Sequence, residues 1–221
     1  MTFAGFGPDT LAFLADLADN NHKAWFEGNR GRYETALKEP AIAFIEAIGP
    51  GIRGLDPNLR IDPRSVLFRI HRDTRFSADK RPYKEELAFR FRGAGEGSSA
   101  LMMRIRTQDV GVAAGIWAFT PEQIGRYRAA VGEAATGEAL ALALQGMGEA
   151  ACGFTAAALK RVPAPFAADH PRGDLLKHKG LTVGMDHPHP PELSTSAFVD
   201  WTLSALERLA PAHHWLQSHV G

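Results

Sequence analysis

A single cysteine, Cys152, is all the thiol chemistry that 221 residues contain. That count excludes an intrachain disulfide and any zinc site built on paired cysteines. The thiol sits beside Ala150, Ala151 and Phe154 with no neighbouring cation to lower its pKa, so it reads as inert. Long apolar runs are equally scarce. No window approaches the roughly 20 apolar residues of a membrane span, and the opening MTFAGFGPDT lacks the charged start and apolar run of a signal peptide. A soluble, cytoplasmic protein without a membrane partner is expected. Net charge is absent too, since 25 Lys and Arg balance 25 Asp and Glu; this argues against a wholly basic nucleic-acid binder. Apolar substance is plentiful. With 45% hydrophobic residues, a chain of this length buries about 70% or more of its unfolded surface and folds without metal or disulfides.

Three compositional regimes follow one another along the chain. Pro8-Asp9-Thr10 puts a proline and an acid at a helix start, and Leu11, Leu14, Leu17 and Ala18 recur at helical spacing. Helices are expected again over 24–37 and from Pro40, with the Gly49-Pro50-Gly51 step ending or kinking the latter. From Asp62-Pro63 the period changes to two. Val66, Phe68 and Ile70, then Leu87, Phe89 and Phe91, then Leu101, Met103 and Ile105 alternate with polar or smaller residues, and 110–117 makes a fourth strand. Thr120-Pro121-Glu122-Gln123 has the form of a capping box with proline at the first helical position. More helix is expected through the alanine-rich stretch to Leu159, with a last long helix from near Ser194 to Leu209. The pattern predicts one α+β domain over 1–221: helical from 1–60, a mainly antiparallel sheet over 61–118, and mostly helical from 119–221, with the C-terminal helices packed on one face.

The zero net charge conceals a segregation. Between Arg60 and Arg106 there are 12 Lys and Arg against 6 Asp and Glu, which leaves the remainder of the chain acidic by the same margin. If the alternation holds, Arg69, Arg90, Arg92, Arg104 and Arg106 share a face, where like charges about 5 Å apart repel unless anions or acids lie between them. The densest stretch is 71–84, HRDTRFSADKRPYK, a loop on rigid strands with cations, two acids and two aromatics and no apolar periodicity. Here Arg72, Arg75, Lys80 and Lys84 supply charge, joined by Arg69 and Arg90 from the adjoining strands. Guanidinium takes phosphate or carboxylate bidentately. Asp73 orients the arginines; a general-base role for it needs a raised pKa, whereas flanking arginines lower it. Tyr83 offers a hydroxyl or a stacking face. A second constellation, NNHKAWFEGNRGRYE, places Trp25, Asn29 and Tyr33 near one helix face. An aromatic stripe of this kind belongs more often to a core than to a ligand platform, but the Asn29 amide must find partners if buried.

Together NNHKAWFEGNRGRYE, FRIHRDTRFSADKRPYK, the strands ending in GVAAGIW, and LKRVPAPFAADHP resemble a bacterial family catalogued as domain of unknown function 2461, over roughly Phe6 to Leu216. His71 stands where an aromatic such as Tyr is common in that motif, and Ser98-Ser99-Ala100 replaces a more glycine-rich entry to the third strand. The resemblance supports the fold and carries no reaction with it.

Other chemistry is weakly signalled. His187-Pro188-His189-Pro190 lacks an acid or a third histidine at ligand spacing, and His213-His214 are adjacent rather than four apart, so no metal site is expected. Gly93 to Gly97 lacks the Lys-Ser/Thr of a phosphate-binding loop, and no cofactor is expected. The favoured reading is a pocket between the Trp25/Asn29 helix and the loop of residues 69–84 that binds a phosphorylated or other anionic small molecule, with catalysis left open. Two others stand beside it: a nucleic-acid-binding module using the arginine face, and a purely structural network of ion pairs.

Overall fold

A computed structural model describes residues 2–95, 97–148 and 157–221, together with the backbone of Cys152 and Gly153. Residue packing divides the chain into two compact units, the first comprising 1–91, 102–111 and 186–204, the second 92–101, 112–185 and 205–221. In chain order the elements are α1 (Pro8–Asp19), α2 (Lys23–Gly28), α3 (Arg30–Tyr33), a π-helical turn (Glu34–Lys38), α4 (Glu39–Leu55), α5 (Pro63–Val66), β1 (Leu87–Arg92), β2 (Ala100–Ile105) and β3 (Val110–Ile116). There follow α6 (Pro121–Gly132), α7 (Ala134–Gly146), β4 (Cys152–Gly153), α8 (Gly173–Leu176), β5 (Leu181–His187), a 3-10 turn (Pro191–Ser194), α9 (Phe198–Glu207) and α10 (Ala210–His219). Helices flank a mainly antiparallel sheet in sequence, so the fold is α+β. The strand order is β1-β2-β3-β5-β4. The short connections from β1 to β2 and from β2 to β3 force antiparallel pairing, because a parallel crossover needs a dozen residues or more.

The first unit has two apolar clusters. In one, Phe3, Phe6, Phe44, Phe89 and Phe198 meet mostly edge to face at centroid distances of 5.2–6.3 Å, the geometry that aromatic quadrupoles favour. The other gathers Phe13, Leu14, Leu17, Phe26, Leu37, Ile70 and Tyr83. Helix α4 runs unbroken through Gly49-Pro50-Gly51, where the sequence suggested an end or a kink. Packing explains the glycines: a Cβ on Gly49 would lie 2.9 Å from the Ile61 side chain, and one on Gly51 only 2.3 Å from Leu203. The strand expected at Val66 begins instead as the helical turn α5. Asp62 caps it by accepting from the Ser65 N–H at 3.2 Å, and Pro63 occupies its first position. Local capping outweighs the alternation.

The second unit is built around Tyr127, whose ring meets Phe119 at 4.8 Å and Trp215 at 6.0 Å. Its helix α6 starts with the reciprocal capping box read from the sequence. Helix α7 stops at Gly146, short of Leu159, where Gly148 takes a positive φ of 69° at the helix exit. Cys152 and Gly153 then pair antiparallel with Gly184 and Val183 of β5. Residues 149–151 and 154–156, inside the expected helical extension, and the Cys152 side chain lie outside the described part. Arg172 closes the end of α6: its guanidinium donates to the carbonyls of Val131, Gly132 and Glu133 at 2.7–3.2 Å. Among the described residues no helix is long and apolar enough to cross a membrane.

Candidate functional site

The loop-bearing segment of the first unit folds back on itself. Leu67 bridges Phe89 and His71 bridges Tyr83, both antiparallel. Between these bridges one side advances from 67 to 71 and the other from 83 to 89, so two extra residues bulge from the longer side. They fall at the bend Glu85-Glu86, since Lys84 N–H still donates to Ile70 C=O and Phe68 N–H already donates to Ala88 C=O. A bulge re-aims side chains, and this one directs both carboxylates into a cleft.

That cleft has a volume of about 480 Å³ and lies wholly within the first unit. Its walls carry four cations, Arg72, Arg81, Lys84 and Arg106, and four acids, Asp79, Glu85, Glu86 and Asp109, with Ala18, Tyr83, Thr107 and Gln108 between them. Most of the charge is already matched. Arg72 donates to Asp79 at 2.6 Å, and Arg81 grips Asp79 and Glu85. Arg106 forms a bidentate pair with Asp109, both contacts at 2.8 Å. Arg81 and then Arg72 hold the Asp79 carboxyl well below the usual carboxylate range. Lys84 and Glu86 are the exceptions: among the described residues neither has an ion-pair partner.

Lys84 is half-buried, and its ammonium lies 4.6 Å from the centre of the Phe68 ring, which Arg90 also approaches at 5.1 Å. Burial pushes its pKa down, Arg69 and Arg90 add to that, and Glu86 pulls the other way. The fold thus brings Arg69, Lys84 and Arg90, singled out from the sequence, into one electrostatic neighbourhood. Arg104 and Arg106 are neutralised: Arg104 donates to both Asp186 oxygens at 2.7 and 2.9 Å, and Asp186 also lies 3.7 Å from Arg106.

Of the remaining expected residues, Arg72, Tyr83 and Lys84 line the cleft, whereas the others take up local roles. Asp73 and Arg75 pair with each other at the exposed loop tip, and Arg75 lowers the Asp73 pKa, the wrong direction for a general base. Lys80 donates to the Thr74 carbonyl at 3.0 Å, knitting the loop. Trp25 packs against Phe13 at 5.6 Å. Asn29 satisfies its amide on the Trp25 carbonyl at 2.9 Å, at the end of α2. The helical contribution to the cleft is Ala18 of α1. Tyr83 is buried, its ring stacked on Phe26 at 4.2 Å.

Among the charged cleft residues, the sequence pattern singled out neither Arg81, Glu85, Glu86 nor Asp109; Arg81 sits on the 71–84 loop, Glu85 and Glu86 arrive through the bulge, and Asp109 through the β2–β3 turn. For Glu85 and Glu86 the one sequence signal is the Pro-Tyr-Lys-Glu-Glu run, two acids directly following Lys84. Among the described residues no cluster of histidines, cysteine and carboxylates could hold a metal ion. The chain belongs to a family of conserved hypothetical proteins, DUF2461, whose model matches residues 9–215. No curated protein matches it.

Proposed function

We propose that this DUF2461 protein binds a small anionic molecule, a phosphate or carboxylate, in the cleft of its first unit. The supporting observation is Lys84, an ammonium on the cleft wall that has no carboxylate at ion-pair distance among the described residues while every other cation of the cleft has one. A half-buried charge short of a counter-ion is stabilised by any anion that reaches it. Arg72 strengthens the site: it lines the cleft and only one of its guanidinium nitrogens is committed to Asp79, which leaves further donors for an anion. The volume of about 480 Å³ suits a small ligand, for which about 300–1,000 Å³ is usual. The nucleic-acid reading has less support, because Arg104 and Arg106, which it needs as open contacts, are held by Asp186 and Asp109.

Thermal-shift titration tests the proposal. A phosphorylated ligand at ~100 times its dissociation constant adds about 2.7 kcal/mol, and each kcal/mol raises the midpoint by about 2–4 °C for a chain of this size. The wild type should respond to inorganic phosphate, sugar phosphates or nucleotides, and a folded Lys84→Met variant should not. A wild type indifferent to all of them would remove the reading.

A further inference from the structure

The two charges left unmatched in the cleft have opposite signs, and this narrows the class of ligand. Lys84 and Glu86 both line the cleft, lie beyond ion-pair distance of each other, and have no other ion-pair partner among the described residues. The acids beside them are occupied: Asp79 by Arg72 and Arg81, Glu85 by Arg81 and Asn21, Asp109 by Arg106. A simple anion drawn to Lys84 would face Glu86 across the same small volume, and that repulsion offsets part of the attraction. A molecule that carries a protonated amine as well as the anion satisfies both groups and leaves the cleft without an unpaired charge.

We infer that the cleft selects zwitterions, with the anionic group received by Lys84 and the open edge of Arg72, and the ammonium received by Glu86. This rests on the anion-binding role proposed above. Thr107 and Gln108 line the same cleft from the exposed turn after β2 and supply neutral hydrogen-bonding groups along the ligand. The bulge at Glu85-Glu86 is what makes selection available, because a regular ladder would have no surplus residue there to place a second, uncommitted carboxylate beside Lys84.

Calorimetric titration at low ionic strength distinguishes the cases. The probes are ω-aminoalkyl phosphates, from aminoethyl to aminopentyl, each compared with the alkyl phosphate of the same length that lacks the amine. At least one aminoalkyl phosphate should bind the wild type ~10-fold more tightly than its amine-free counterpart, as expected for a charge-assisted hydrogen bond. Glu86→Gln should erase that advantage while binding the alkyl phosphates as well as the wild type or better, a crossover that a merely structural glutamate would not produce. If the amine confers no advantage at any length while the phosphates still bind, the zwitterion inference falls and the anion site stands. If no phosphate binds at all, both fall.

Discussion

The side-chain amide of Asn21 closes both backbone hydrogen bonds of Tyr83: its Oδ1 accepts from the Tyr83 N–H at 3.0 Å and its Nδ2 donates to the Tyr83 carbonyl at 3.1 Å. An asparagine from the start of the helical region thereby does the work of a neighbouring strand, satisfying a donor and an acceptor that burial would leave unpaired. The same Nδ2 lies 2.8 Å from Glu85 Oε1. One residue thus fixes the buried Tyr83, stacked on Phe26, and the first carboxylate of the bulge beyond it. Lys84 lies between them in sequence, so Asn21 braces the chain on both sides of the residue that carries the cleft's uncommitted ammonium.

Replacing Asn21 by Ala should cost about 1–3 kcal/mol, the range for leaving buried backbone groups unsatisfied. Asn21→Asp should be worse than Ala, because it keeps the acceptor, loses the donor, and puts a negative charge beside Glu85 and the Tyr83 carbonyl. Urea denaturation of the three proteins ranks them. Wild-type stability in the alanine variant would mean that water replaces the amide without loss.

Lys84→Met should fold at least as stably as the wild type while losing the response to phosphate. The methionine keeps the apolar stem on Phe68 and removes a desolvated charge. The pH dependence has a definite sign. Because the folded-state pKa of Lys84 is depressed, the unfolded chain holds this proton more tightly; the penalty applies below the folded pKa and is relieved as pH rises through it toward the ordinary lysine value. Wild-type stability should therefore gain on that of Lys84→Met over this alkaline window, as paired melts would show. A variant that unfolds readily would instead make Lys84 a structural residue.

Asp73→Asn should leave phosphate binding unchanged. Asp73 pairs with Arg75 on the exposed loop tip and is absent from the cleft wall, and exposed pairs contribute little. A marked fall in affinity in this variant would place the site at the loop tip and displace Lys84 from its central role.

Features set by near neighbours were readable in the sequence, and features set by distant packing were not. Thr120 and Gln123 lie three residues apart and form both halves of the capping box, at 3.2 and 3.0 Å. Nothing near Gly49-Pro50-Gly51 announces Ile61 or Leu203, whose side chains fill the space beside those glycines and let α4 continue. The site divides in the same way. Alternation drew attention to Arg69 and Arg90, which do gather near Lys84. The pairing of Arg104 and Arg106 with Asp186 joins residues some 80 positions apart and could not be counted from local charge. Glu85 and Glu86 read as ordinary surface acids until the bridge register reveals two surplus residues.

Glu133 makes acid sensitivity testable in the second unit. Its carboxylate accepts from the Thr136 and Ala135 N–H groups at 2.6 and 3.0 Å, capping α7. Those bonds, with the Thr136 hydroxyl, bring its pKa from 4.5 to about 2. A depressed carboxyl pKa means that the stabilisation is complete above the unfolded value and is lost as pH falls through the folded one. The melting-temperature gap between wild type and Glu133→Gln should accordingly narrow from about pH 4.5 toward pH 2. A gap constant across that window would show that the cap does not depend on charge.

Two helical glycines of the second unit should respond to the same substitution with opposite signs. Gly125 lies exposed within α6, and a Cβ there meets nothing within 4 Å; Gly125→Ala should stabilise by about 0.5–1 kcal/mol through reduced backbone entropy. Gly137 in α7 has the same intrinsic preference, but its Cβ would lie 2.2 Å from the Val131 carbonyl oxygen and 2.4 Å from Arg172 Nε. The clash would displace the guanidinium that donates to the end of α6 at Val131, Gly132 and Glu133. Gly137→Ala should therefore destabilise, by about 1.5–3 kcal/mol if the loss resembles that of hydrogen bonds from a charged donor. Arg172→Lys should fall between wild type and Arg172→Ala, since one ammonium cannot span three carbonyls as a planar fork does. Stabilisation by Gly137→Ala, matching Gly125→Ala, would show that the Arg172 clamp yields without cost and that propensity alone governs both positions.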